Sequence, residues 1–242
     1  MIDVYADGAD FDGIIQAAMN NNIKGFTTNP TLMRAAGVTD YTKFARDIIP
    51  HLKDIRPDTN ISLEVFADDS ENIKRQARII DGWSKEFGYP VYVKIPVMNT
   101  KGENNYQLIN ELSGEGIALN VTAVFTVSQT SNVLTALMKA SAPSIISIFA
   151  GRIADTLVDP EKIVRECTGL KINEIDRNVK FLWASCREAF NYVQADRSGC
   201  DIITMTPDQI KKLQLCGKDL HEYSRETVEM FFNDANKSGY TL

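Results

Sequence analysis

Eight times along this chain a short run of β-branched and apolar residues gives way to a longer amphipathic stretch. The runs begin with IDVYAD at 2–7, GFTTN at 25–29 and ISLEVFA at 61–67. VYVKIPV (91–97), ALNVTAVF (118–125) and SIISIFAG (144–151) follow, and VKFLWASC (179–186) and DIITMTP (201–207) close the series. The stretches between them, such as FDGIIQAAMNNN and ENIKRQARIIDGWSKEF, space their apolar residues as helices do. The runs are too short and too uniformly apolar to alternate between a wet and a dry face, so they read as parallel strands buried on both sides. Unbroken strand–helix alternation specifies an α/β fold. Eight units in 242 residues predict a (β/α)8 TIM barrel. The alternative on pattern alone is a doubly wound open sheet, which more often has about five to seven strands.

EYSRETVEMFFNDANKSG (222–239) is left over after the eighth unit and predicts an additional C-terminal helix over about 219–239. No Pro/Gly/Ser-rich linker divides the chain, so residues 1–242 are expected to form a single domain. The 26 Lys and Arg stand against 32 Asp and Glu, a net charge of -6. Such a surface argues against nucleic acid and anionic membranes as partners, though not against a local cationic pocket. No apolar run reaches the roughly 18 residues that span a bilayer, and the acidic N-terminus lacks the features of a signal peptide. Cys167, Cys186, Cys200 and Cys216 form no C-x-x-C pair, and His51 and His221 lie far apart in sequence. These features predict a reduced, cytoplasmic protein with no metal site. The glycines form no G-x-G-x-x-G or P-loop, so no nucleotide cofactor is expected.

In a TIM barrel the chemistry sits at the C-terminal ends of the strands. Lys94 is a single amine inside the apolar strand VYVKIPV. Burying an ammonium without a partner favours the neutral amine, which attacks carbonyls to form a Schiff base. A strand-end lysine also has plainer fates, snorkelling to solvent or pairing with Asp7 or Glu64. Those two carboxylates end other strands. They suit the acid/base steps of a retro-aldol cleavage and of imine formation, or simply cap the helices that follow. Arg152, Ser185 and Arg187 end strands six and seven. They suit a phosphate clamp, because arginine offers planar paired donors, or else form surface salt bridges. Thr28 and Asn29, before Pro30, form at least a turn with an Asx-type hydrogen bond.

Taken together and in order, these residues resemble the transaldolase family of class I Schiff-base aldolases. The motifs are Thr27-Thr28-Asn29-Pro30-Thr31, Val93-Lys94-Ile95-Pro96, Phe149-Ala150-Gly151-Arg152 and Ala184-Ser185-Cys186-Arg187. The resemblance covers almost the whole chain. It implies Lys94 as the Schiff-base nucleophile, Asp7 as the acid/base of cleavage, and Glu64 with Thr122 holding the water of imine formation. Asn29, Asn120 and Ser147, with Thr28 and Phe149 beside them, would contact the dihydroxyacetone portion. Arg152, Ser185 and Arg187 would hold the phosphate. The family's chemistry needs no cofactor, and its small members form homo-oligomeric rings. Gly8 is a departure, where the family usually has threonine.

The family divides into transaldolases and fructose-6-phosphate aldolases. The aldolase branch typically has Gln, Tyr and apolar residues at the positions of Glu64, Phe149, Asn120 and Ser147, so all four residues here favour transaldolase. The resemblance thus implies transfer of a dihydroxyacetone unit from sedoheptulose 7-phosphate to glyceraldehyde 3-phosphate in the pentose phosphate pathway. The alternatives are an aldolase that releases free dihydroxyacetone and a sugar-phosphate-binding protein without catalysis.

Overall fold

The computed structural model describes residues 2–170 and 178–241. Its strands are β1 (Asp3–Asp7), β2 (Ile23–Thr27), β3 (Ile61–Glu64), β4 (Val91–Pro96), β5 (Leu119–Val124), β6 (Ser144–Ile148), β7 (Val179–Trp183) and β8 (Ile202–Met205). They pair in sequence order, all parallel, and β8 returns to β1 to close the barrel. The helices are α1 (Phe11–Ala18), α2 (Pro30–Ala35), α3 (Tyr41–Ile55), α4 (Ser70–Phe87), α5 (Tyr106–Gly114) and α6 (Val127–Ala136). There follow α7 (Ala150–Ala154), α8 (Pro160–Thr168), α9 (Asn191–Arg197), α10 (Pro207–Lys212) and α11 (Leu220–Ser238). The fold is the expected (β/α)8 barrel with a C-terminal helix.

Short acidic side chains start many of the helices. Asp10, Asp40, Asp69 and Asp159 each accept a hydrogen bond from a backbone N–H in the first turn, satisfying donors that have no partner inside the helix. Strand β2 begins and ends two residues earlier than its apolar run suggests. Thr28 turns back to the Ser62 carbonyl through both its N–H (3.2 Å) and its hydroxyl (3.1 Å), and Asn29 caps α2. Residues 149–151, read as the end of strand six, instead enter α7. The sequence pattern does not separate this short helix from the strand before it, because Ala150, Gly151 and Ile153 are as buried as strand residues.

Two apolar layers result. The larger lies between the sheet and the helices, and includes Ile48, Leu52, Ile80, Val93, Val121 and Phe181. The smaller fills the barrel interior with Tyr5, Ile145, Leu182, Ala184 and Ile202, against which Tyr92 and Phe149 pack. Tyr5 fits because its register partner on β2 is Gly25; a Cβ there would lie 2.5 Å from the tyrosine ring. At the opposite end from the site, Asp3 and Lys180 pair at 3.0 Å.

Candidate active site

The register across the barrel brings the sequence-predicted residues together. Glu64 of β3 pairs with Lys94 of β4, and Lys94 pairs with Asn120 of β5. Asp7 of β1 pairs with Thr27 of β2. A pocket of about 460 Å³ opens at the C-terminal ends of the strands, within the usual range for small-molecule sites, about 300–1,000 Å³.

Lys94 lies on the wall of this pocket and is 5% exposed. Its Nζ donates to the Thr28 carbonyl (2.9 Å) and lies 3.2 Å from Glu64 Oε2. The lysine therefore faces the interior and also has the Glu64 partner that the sequence left open. Two fixed acceptors hold the amine while one edge faces the pocket. The turn that presents Thr28 is what the Thr28-Asn29-Pro30 sequence builds.

Asp7 accepts a hydrogen bond from the Thr27 hydroxyl at 2.7 Å. Burial raises its carboxyl above the usual carboxylate range, an effect that the Lys94 charge and the Thr27 bond only partly offset. A carboxyl of raised proton affinity in a pocket is suited to exchanging protons with a substrate. Thr122 lines the same pocket, and its hydroxyl is buried with no hydrogen-bond partner among the described residues. The β5 strand bulges there: its register against β6 shifts between Val121 and Val124, and Ala123 has φ +56°. Bulges of this kind re-aim side chains at barrel rims.

Ser147, Phe149, Arg152, Ser185, Arg187 and Asn29 also line the pocket. Asn29 uses its carbonyl oxygen to accept from Leu32 N–H at 3.0 Å, which leaves its amide nitrogen as the side chain's donor. Arg152 lies over the Phe149 ring, 5.8 Å from its centroid, a favourable cation–π geometry. Arg187 donates from Nε to Asp155 Oδ1 at 3.1 Å and from Nη2 to Asp155 Oδ2. Both arginines line this one pocket, and Arg187 carries the salt bridge that was its alternative reading. Gly151 packs directly against the turn that carries Ser185. A Cβ on it would lie 1.5 Å from the Ser185 carbonyl oxygen, and Ser185 itself has φ +63°.

Two predicted contact residues lie elsewhere. Asn120 is fully buried beneath the pocket, donating to Ser62 Oγ (3.0 Å) and accepting from Ser147 Oγ (2.7 Å). Thr28 contributes its carbonyl to Lys94 while its own hydroxyl is committed to Ser62. Both position other groups. The pocket wall also includes Thr27, Cys186, Thr204, Thr206 and Gln209, which were not among the expected site residues. Burial, followed by the charge of Asp7, pushes the Cys186 thiol up, so it is not a ready nucleophile. Gln209 ties the start of α10 to the turn after β7 through the Cys186 carbonyl (2.9 Å). Thr204 had a readable signal, a hydroxyl inside an apolar strand. His51, stacked edge-on against Phe11, and His221 are exposed and outside the site.

A family model described as transaldolase/fructose-6-phosphate aldolase matches residues 4–242. The chain belongs to that family. A "Probable transaldolase" of Thermoanaerobacter sp. (strain X514) is 33% identical over 98% of this chain and 99% of its own length. Another, from Sphingopyxis alaskensis, is 28% identical over 98% of this chain and 99% of its own length. Thiamine phosphate pyrophosphorylase from Pyrococcus furiosus superposes with a TM-score of 0.54 over 85% of each chain at 9% identity. That likeness concerns the barrel alone. Among the described residues no helix is long and apolar enough to cross a membrane, and all four cysteines are free.

Proposed function

We propose that this member of the family is a transaldolase, moving a dihydroxyacetone unit from a ketose phosphate to an aldose phosphate through a Schiff base on Lys94. The observation that carries the reading is the buried Lys94 amine, held 3.2 Å from Glu64 in a pocket whose rim holds Arg152 and Arg187. Lys94 Nζ attacks the C2 carbonyl of the donor. The resulting carbinolamine loses water, with Glu64 and Thr122 placed to hold that water and move its protons. Asp7 then takes the proton of the C4 hydroxyl. The C3–C4 bond breaks, its electron pair flows into the iminium, and the aldose phosphate leaves. The enamine attacks the carbonyl carbon of an incoming aldose phosphate, whose oxygen takes the proton back from Asp7. Hydrolysis of the new iminium frees Lys94. Sedoheptulose 7-phosphate with glyceraldehyde 3-phosphate, giving erythrose 4-phosphate and fructose 6-phosphate, is the reaction this reading assigns.

Branch identity rests on Phe149. Its ring packs on Phe125, centroid to centroid 5.8 Å, and under Arg152, and it has no hydroxyl with which to place a water near the enamine. The bound three-carbon unit therefore survives until an acceptor arrives. A coupled assay of fructose 6-phosphate turnover, with and without erythrose 4-phosphate, tests this. Turnover only with the acceptor supports transaldolase. Equal turnover without it, as free dihydroxyacetone, would assign aldolase activity.

The assembly we propose is a homo-oligomer. Helix α11 has no buried residue, and Leu220, Val228, Phe231 and Phe232 are each more than 60% exposed. Beside its root lies an apolar groove lined by Ile2, Val4, Phe190, Val193, Leu213 and Leu215. A second copy supplies the complement that both surfaces lack.

A further inference from the structure

Strand β8 carries one hydroxyl, Thr204, among Ile202, Ile203 and Met205, and it is 5% exposed. Its Oγ1 lies 2.5 Å from Oγ1 of Thr27 on β2, and Thr27 Oγ1 lies 2.7 Å from Asp7 Oδ1 on β1. Because β1 sits between β2 and β8, the two threonines reach the aspartate's strand from opposite sides. An ionised carboxylate only accepts hydrogen bonds, and a threonine has a single hydroxyl proton to give. With Asp7 ionised, Thr27 therefore donates to Asp7, and Thr204 donates to Thr27 across the 2.5 Å contact.

We propose that Thr204 is a positioning residue for Asp7, acting through Thr27. It fixes the direction of the Thr27 O–H, so that Oδ1 is held and Oδ2 is left to face the substrate hydroxyl. The proposal rests on Asp7 being the proton-transfer group of the transaldolase reading. Linked hydrogen bonds polarise one another, so the Thr27 bond is stronger for the Thr204 contact behind it. When Asp7 gains the substrate proton on Oδ2, Oδ1 stays an acceptor and the chain keeps its direction. A donor binds a carboxylate more tightly than a neutral acid, so the chain favours the state that begins C–C cleavage. The charged and titratable groups that act on Asp7 are Lys94 from β4 and Cys186 after β7, and Glu64, Arg152 and Arg187 line the same pocket. The two threonines carry no charge, so their effect is on one bond's direction and strength.

Thr204→Val removes the hydroxyl and keeps the shape. Loss of one linked, buried hydrogen bond predicts a kcat about five- to tenfold lower, with KM for fructose 6-phosphate within about twofold because the hydroxyl removed is engaged with Thr27. The acidic limb of the kcat–pH profile should move to higher pH, since the carboxylate is less favoured. Borohydride trapping of fructose 6-phosphate on Lys94 should persist, and Thr204→Ser should restore both kcat and the limb. Thr204→Ala gives the same readout if the Val variant does not fold. Wild-type kcat with an unmoved limb, or a Ser variant as poor as Val, overturns the proposal. Asp7→Asn is measured in parallel. If it keeps activity within about tenfold of wild type, against the 10²–10⁴ expected of a lost acid/base, the Asp7 reading fails and takes Thr204's role with it. A dead Asp7→Asn beside an unaffected Thr204→Val overturns the Thr204 proposal alone.

Discussion

A Cβ placed on Gly151 would lie 1.5 Å from the carbonyl oxygen of Ser185. The first turn of α7 and the turn after β7 are thus pressed together backbone to backbone, and Arg152 and Arg187 flank that contact. Gly151→Ala must force the two segments apart. Overpacking of this kind costs about 1–3 kcal/mol or more, so the variant should melt several degrees lower. It should also show a raised KM for phosphorylated sugars, because the arginines no longer converge. Calorimetry with steady-state kinetics checks both. A variant with wild-type Tm and KM would contradict the contact.

Arg152→Ala should raise KM for fructose 6-phosphate about ten- to a hundredfold, the effect of losing a charge-assisted hydrogen bond, while acting little on unphosphorylated dihydroxyacetone. Asp155 occupies two donors of Arg187. Asp155→Asn frees that charge and should lower KM for phosphorylated donors. Equal effects on phosphorylated and unphosphorylated substrates would make the arginines structural.

Asp7 also links activity to stability. Its folded carboxyl holds a proton more tightly than in the unfolded chain. Its stabilising contribution is therefore complete only below the ordinary carboxylate range, and it is lost as pH climbs through the raised folded value. Asp7→Asn removes that penalty. Its Tm should exceed the wild type at about pH 8, with the gap narrowing towards about pH 4, while turnover falls about 10²–10⁴-fold. Thermal melts across this range measure it, and a gap that widens as pH falls would refute the assignment.

The barrel was legible because its eight apolar runs and intervening helices each follow one period. Lys94 was legible for the reason that it is unusual, a charge inside an apolar strand. The direction of Asn120 was not. Spacing places it at the right level beside Lys94, but its carboxamide is consumed by Ser62 and Ser147 beneath the pocket, a fact of side-chain geometry. Thr28 is similar, since its contribution is a backbone carbonyl, which any residue type carries. Helix α7 is short and buried, so its period is indistinguishable from a strand's last residues.

Replacing Phe231 and Phe232 by Glu should leave the barrel folded and convert the protein to a monomer. Both side chains are exposed in the single chain, at 62% and 66%, so the change meets no barrel core. Light scattering at micromolar concentration reads the mass. A wild type that is already monomeric would remove the reason for the apolar face of α11.

The reading as a whole turns on a covalent bond to Lys94. Wild-type protein mixed with fructose 6-phosphate and reduced with borohydride should gain the mass of one reduced sugar-derived adduct, mapped to the peptide holding Lys94. Lys94→Arg keeps the charge but cannot form the imine, and should gain nothing while remaining folded. No adduct on the wild type, or an adduct that persists in Lys94→Arg, would contradict the account.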